Sequence, residues 1–229
     1  MKRYGQYCPV SRAAEVLGER WTLLVIRELL WGNERFNAIA RGVPRMSASL
    51  LSARLRELQR SGLVQRDIVD GEPRYRLTAA SAELLPILEQ IGMWGQRWMQ
   101  RLRPEDLDPT LLMLDMSREI DSGRLPERAV TVVLELAGAP AHQERWWLVL
   151  SRAGVDVCDT DPGFPVAVWA HTDLATLTGI WLGDVSWEQA LRDETLWLDG
   201  DATARRALPR WLGVSRFAAV ERATVSLPR

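Results

Sequence analysis

Ser47, Ser49, Ser52, Arg54, Arg56 and Arg60 fall between positions 47 and 60, together with a row of leucines. Short hydroxyls and long guanidiniums in one stretch are hydrogen-bond donors, and their natural acceptors are the phosphates and base edges of a nucleic acid. A second basic group follows, where Arg74 and Arg76 alternate with Tyr75 and Leu77, and Arg66 precedes them. Two other arrangements suggest reactivity. Cys8 stands directly before Pro9, at the expected start of a helix, where partial positive charge lowers a thiol pKa. His171-Thr-Asp173 places an imidazole near a carboxylate, but a hydrogen-bonded structural histidine is the simpler reading. No nucleophile motif or phosphate-binding loop accompanies it, so the chain reads as a non-enzyme. Two cysteines and two histidines leave little for a metal centre, and no cofactor is expected.

The elements that carry the basic residues are legible from periodicity. Ala48 to Arg60 is one amphipathic helix: at 100° per residue Leu51, Leu55 and Leu58 point one way and Ser49, Ser52, Ala53, Arg56 and Arg60 roughly the other. Ser47 is its expected N-cap and Gly62 its stop. Before it, the pattern predicts helices over Pro9–Leu17, Trp21–Trp31 and Phe36–Ala40, the second apolar nearly all round and so buried. After it the period changes to two. Val64–Ile68 and Arg74–Leu77, joined through Asp70-Gly71, read as a β-hairpin. Thr78 then opens a long helix to about Leu102, with Leu84, Leu88, Ile91, Trp98 and Leu102 at helical spacing and a kink at Pro86. Helices, a hairpin and a long helix in this order make a winged helix-turn-helix.

Charge divides the chain in two. Residues 1 to 103 hold 17 Lys and Arg against 10 Asp and Glu, net +7, whereas residues 104 to 229 hold 12 against 20, net −8. Only the first half suits a polyanion. All but one of the 29 cations are arginine, whose planar fork matches phosphate and guanine. The sign changes near Arg103-Pro-Glu-Asp-Leu-Asp-Pro109, which sets the expected domains at 1–103 and 110–229. No run approaches a membrane span, and Met1-Lys-Arg-Tyr-Gly-Gln-Tyr lacks the apolar core of a signal peptide, so the expected location is the cytoplasm.

In the second half the pattern predicts a helix over Thr110–Ser122 and strands over Ala129–Gly138, Trp146–Arg152, Val155–Asp159 and Val166–Ala170. Helices Asp173–Leu182 and Ser186–Arg192, a strand Thr195–Asp199 and a helix Ala202–Trp211 follow. Strands grouped before helices indicate an α+β domain with a mainly antiparallel sheet.

The first half resembles the HxlR family of bacterial transcription regulators. The resemblance rests on Cys8-Pro-Val, Gly18-Glu-Arg-Trp-Thr-Leu-Leu-Val-Ile-Arg-Glu-Leu, Gly32 followed by Arg35-Phe-Asn-Ala-Ile, and Leu51-Ser-Ala-Arg-Leu-Arg-Glu-Leu with Ser61-Gly-Leu-Val, over about residues 5 to 100. It implies a homodimeric winged-helix repressor or activator whose recognition helix is Ala48–Arg60 and whose wing is the hairpin. Two departures fall in and after the wing: Asp70-Gly-Glu-Pro73 is a short connection, and Ser81 stands where the family usually has glycine. Some members sense oxidants through an N-terminal cysteine, a role Cys8 resembles. The helix from Ala82 to Leu102, with Trp94, Trp98 and Met99, and the N-terminal arm are the expected dimer contacts.

The second half resembles the sterol carrier protein family, on Trp169-Ala-His-Thr-Asp-Leu-Ala-Thr-Leu-Thr-Gly-Ile-Trp-Leu-Gly, Ser186-Trp-Glu-Gln-Ala-Leu-Arg and Leu196-Trp-Leu-Asp-Gly-Asp, over about residues 110 to 213. This implies an apolar, lipid-like ligand, with Trp169, Leu177, Ile180 and Trp181 as the candidate contacts. Seven of the 11 tryptophans lie here, and their plain alternative is core packing. The expectation is therefore a homodimeric regulator of double-stranded operator DNA controlled by a small apolar ligand or by Cys8. The alternative is a lipid-binding carrier whose winged helix engages a protein.

Overall fold

The computed structural model describes residues 4–99 and 102–224. The chain forms two compact units, Met1–Gly92 and Met93–Arg229. The division falls inside a helix, earlier than the acidic linker marked by the charge reversal.

In the first unit, α1 (Pro9–Leu17), α2 (Thr22–Leu30), α3 (Phe36–Gly42) and α4 (Ala48–Arg60) precede a hairpin of β1 (Val64–Val69) and β2 (Glu72–Leu77). Val25, Ile26 and Leu29 of α2, Ile39 of α3, and Leu51, Leu55 and Leu58 of α4 close around one core. The hairpin turns through Asp70 (φ 54°) and Gly71 (φ 78°), both left-handed, as a two-residue turn matching the strand twist requires.

The single long helix expected after Thr78 is two helices, α5 (Ala79–Ala82) and α6 (Leu85–Trp98). The break has two causes. The Thr78 hydroxyl donates to Gly62 O (2.8 Å), and the buried Ser81 hydroxyl donates to Leu63 O, so α5 is tied to the root of the hairpin. Pro86 has no N–H and would collide with the Ala82 carbonyl in an unbroken helix; in the first turn of a new helix it is tolerated.

In the second unit, α7 (Pro109–Glu119) leads to β3 (Val130–Ala137), β4 (Arg145–Ser151), β5 (Gly154–Cys158) and β6 (Val166–Asp173). Then come α8 (Leu174–Trp181), α9 (Trp187–Arg192), β7 (Leu196–Gly200) and α10 (Ala202–Leu212). The sheet order is β5-β4-β3-β6-β7. Its central pair, β3 and β6, is parallel and the other pairings are antiparallel, so the sheet is mixed. The alternate residues Val132, Leu134, Leu136, Leu148, Leu150, Val168 and Ala170 share a core with α7, α8 and α10.

Among the described residues the opposite sheet face carries no helix of this core, yet Val133 is fully buried there. Trp147 and Trp169 flank it in register, and the Arg145 guanidinium lies 6.0 Å and 5.6 Å from their rings. Two indoles and a cation therefore do the work of a helix.

Candidate nucleic-acid interface

The turn into α4 is set by a buried ion cluster. Glu28 of α2 is completely buried; Arg27 donates to its Oε1 through Nη2 (2.9 Å) and Nε (3.1 Å), and Asn33 Nδ2 donates to Oε2 (2.9 Å). Arg27 Nη2 also reaches Gly42 O (3.0 Å), at the end of α3. Glu28 lies so close over Gly42 that a Cβ there would stand 1.9 Å from the carboxyl. This joins α2 to the last residue of α3, and Val43 and Met46 bury the turn that follows. Ser47 then caps α4, its Oγ accepting from Leu50 N–H (3.3 Å) and lying 3.2 Å from Ser49 Oγ.

With Leu51, Leu55 and Leu58 buried, the outer face of α4 presents Ser49, Ala53, Arg56 and Arg60 to solvent, with Ser52 half-buried at its margin. Among the described residues Arg56 and Arg60 have no ion-pair partner. A helix with an apolar seam inward and unpaired donors outward has the form that enters a DNA groove. Arg54 does not belong to this row. It is buried, with Nη1 2.5 Å from Glu57 Oε2 and Nη2 3.5 Å from Glu19 Oε2. At 100° per residue it stands about 60° from Leu51 and about 40° from Leu58, just beyond the edge of the leucine arc. Its charge braces α4 against the α1–α2 turn.

Arg76 is likewise engaged. Its Nε donates to Glu34 Oε1 (2.7 Å) and its Nη2 to Oε2 (3.2 Å), while Tyr75 N–H donates to Glu34 O (2.8 Å). The Arg76 guanidinium holds the Glu34 carboxyl below its usual pKa. Arg76 is thus a strut fixing the hairpin to the α2–α3 loop, and Arg35 and Glu72 (3.3 Å) add a second. Arg74, half-buried, and Arg66, exposed, have no ion-pair partner among the described residues. They lie on opposite faces of the hairpin, because Arg66 is in register with Tyr75 and Arg74 with Asp67. Sequence reasoning passed over Arg41 and Arg45, exposed on either side of the turn into α4; cations just ahead of the cap were the available signal.

A profile of the HxlR-like helix-turn-helix family matches residues 16–103. The chain is 37% identical over 98 residues to an uncharacterized HTH-type transcriptional regulator, YvaP, of Bacillus subtilis (strain 168), spanning 41% of this chain and 91% of the relative. It belongs to the HxlR-like helix-turn-helix family. Another similar regulator, from Methanothermobacter thermautotrophicus, is 34% identical over 94 residues, 40% of this chain and 72% of its own. Among solved structures, the reduced form of the transcriptional regulator YodB from B. subtilis is 29% identical over 40% of this chain and 93% of its own, with a TM-score of 0.36. The chain is thus an HTH-type transcriptional regulator in its first hundred residues, and the family profile ends at residue 103.

In the HxlR-like unit, Cys8 occupies the N-cap position of α1. The backbone N–H groups of Ser11 and Val10 hold its thiol below the ordinary cysteine pKa. The other cysteine, Cys158, is on β5 of the second unit. On α6, Ile87, Ile91, Trp94 and Trp98 form an exposed stripe at spacings of three and four, and Tyr4, Tyr7 and Val10 are exposed on the N-terminal arm. No helix among the described residues is long and apolar enough to cross a membrane.

In the second unit, Leu177, Ile180 and Trp181, expected to contact a ligand, are core residues on the buried face of α8. Trp169, on the other sheet face, stacks with His171 (centroids 6.3 Å apart) under the Arg145 guanidinium. The four do not line one cavity. Instead, a groove of about 700 Å³ opens between α9, α10 and the segment after α10, bordered by Val185, Trp187, Leu191, Arg206, Pro209 and Val214. His171 Nδ1 lies 2.7 Å from Glu135 Oε2, while Asp173 caps α8 by accepting from Thr176 N–H (2.8 Å). His171 and Asp173 therefore form no base–orienter pair. No cluster of metal-binding side chains occurs among the described residues.

Proposed function

We propose that this protein reads operator DNA as a homodimer, with α4 in the major groove and the hairpin on the backbone. The observation that carries the reading is the exposed donor row of Ser49, Arg56 and Arg60, on the face of α4 opposite its buried leucines, with both arginines free of ion-pair partners among the described residues. Ser49 and Ser52, near the N-terminal end that enters a groove first, suit base edges or phosphate; Arg56 suits guanine, and Arg60 a phosphate. Ser47, Arg41 and Arg45 add backbone contacts ahead of the helix. Arg74 and Arg66 are the remaining wing candidates.

One α4 reads only a few base pairs, so specificity in a genome needs two half-sites about 34 Å apart. The apolar stripe of α6 and the arm around Tyr4 and Tyr7 supply the surface for a second copy. The second unit acts as the sensor, taking a small apolar ligand as the sterol carrier resemblance implies, and the protein works in the cytoplasm.

A gel-shift titration on the promoter fragment beside the gene tests this. Arg56→Ala weakens binding by about 1–3 kcal/mol and relaxes preference at one base position. Unchanged affinity and preference removes Arg56 from the reading set. A wild-type chain that gives no sequence-selective shift, yet binds apolar ligands, supports a carrier instead.

A further inference from the structure

The segment after α10 is a strap whose middle forms one wall of the groove. It starts at Ser215, whose N–H donates to Trp181 O (2.8 Å), and is anchored to α7 by Arg216, whose N and Nε donate to Glu119 (2.7 and 3.0 Å). It then passes over Gly183 so closely that a Cβ there would lie 2.8 Å from Ala218 Cβ. Its far end is a latch. The Arg222 guanidinium pairs with Asp184 through two nitrogens and donates from Nη1 to Gln96 O (3.1 Å), and Ala223 N–H donates to Arg97 O (2.8 Å). Gln96 Nε2 donates to Leu182 O (2.9 Å). These bonds hold the last turn of α6, whose final carbonyls have no partner within the helix.

The groove and the latch share residues by adjacency. Gly183 and Val185, both at the groove, bracket Asp184, and Ala218 and Ala219 line it just before Arg222. A molecule that wedges between the Gly183–Val185 wall and the Ala218–Ala219 wall of the groove acts on both halves of the latch.

The lining also indicates what that molecule is. The walls are mostly apolar, but among the described residues the buried Trp187 indole N–H has no acceptor and Arg206 no partner. A buried donor left unmade is unfavourable, so the missing component is an acceptor, and Arg206 favours an anionic one. Glu188, also at the groove, stands in the first turn of α9, where a carboxylate offsets the helix dipole.

We propose that the groove binds a small amphipathic anion, an apolar chain with one acidic head, and that the strap transmits its occupancy through Asp184–Arg222 to the end of α6. This rests on the reading of the second unit as the sensor and deepens it. Because α6 also carries the apolar stripe proposed for dimerisation, the ligand acts on dimer geometry if it favours one setting of the latch.

The test uses the full chain without DNA and decanoate as the probe. By calorimetry, decanoate binds one per chain, decyltrimethylammonium at least tenfold more weakly, and Arg206→Ala weakens decanoate at least tenfold. Non-saturable binding, or an affinity within twofold of wild type in both Arg206→Ala and Trp187→Phe, overturns the groove. Hydrogen exchange of residues 93–99 reads the coupling. Decanoate changes their protection at least fivefold in the wild type; in Arg222→Ala, and less so in Arg222→Lys, that response is lost while decanoate still binds. No response in the wild type, or an undiminished one in Arg222→Ala, overturns the transmission. Failure of the wild type to shift operator DNA would sink the regulator reading and leave the groove standing, so the two are separable.

Discussion

Substituting Gly42 by alanine should unlock the helix-turn-helix from behind. The added Cβ would lie 1.9 Å from Glu28 Cδ and Oε2, so the carboxylate must retreat by about 1.5 Å to reach ordinary contact. Its partners are placed for its present position: Arg27 Nη2 and Nε at 2.9 and 3.1 Å, and Asn33 Nδ2 at 2.9 Å. Glu28 is wholly buried, so no water replaces the bonds it loses. Breaking a buried charge pair costs about 3–5 kcal/mol, and removing a helical glycine returns about 1 kcal/mol. The net loss is about 2–4 kcal/mol, a large part of the roughly 5–15 kcal/mol that stabilises a domain. In thermal unfolding the transition of the first unit should fall by at least about 8 °C. A cycle with Glu28→Ala isolates the cause: once the carboxylate is gone, Gly42→Ala should cost at least about 1 kcal/mol less than it does alone. A Gly42→Ala chain within about 0.5 kcal/mol of wild type, or strict additivity with Glu28→Ala, would refute the reasoning.

A charge on the α6 stripe, as in Ile91→Asp or Trp94→Glu, should shift the chain toward monomer in light scattering and weaken operator binding, with little loss of fold because both side chains are exposed. A dimer that survives both changes places the interface elsewhere. The lowered Cys8 thiol pKa should move the pH midpoint of iodoacetamide alkylation below that of a free cysteine; the thiolate is populated above the folded pKa and lost as pH falls through it. If Cys8 is also the trigger, Cys8→Ser keeps its operator under peroxide while wild type releases it, and release by both excludes the thiol.

Periodicity gave much of the first unit. Pro9–Leu17 and Ala48–Arg60 are helices with the expected bounds, because a proline start, a serine cap and a glycine stop are local signals. The Asp-Gly turn was equally readable. The division after Thr78 was not, since the leucine spacing runs through it; the deciding bonds from Thr78 and Ser81 go to Gly62 and Leu63, distant in sequence. Arg54 and Arg76 show the limit for side chains. A guanidinium on a basic stretch gives no sign of whether it faces solvent or a carboxylate such as Glu57 or Glu34, although helical phase puts Arg54 nearer the leucines than the outer row. In the second unit the strand positions were legible and the parallel β3–β6 pairing was not, because it depends on the order in which the strands assemble. The groove was invisible for a similar reason: one wall is an irregular strap with no period, and tryptophan counts cannot separate Trp181 in the core from Trp187 at the groove.

The most direct test of the account is the salt dependence of operator binding by the full chain, measured by fluorescence anisotropy on a promoter fragment and on a scrambled one. The account predicts two chains per site, tighter binding to the promoter at every salt concentration, and a slope of log K on log salt that falls by about one in Arg60→Ala but not in Arg54→Met. Equal affinity for the two fragments, or a slope untouched by Arg60→Ala, would contradict the claim that the outer row of α4 faces DNA.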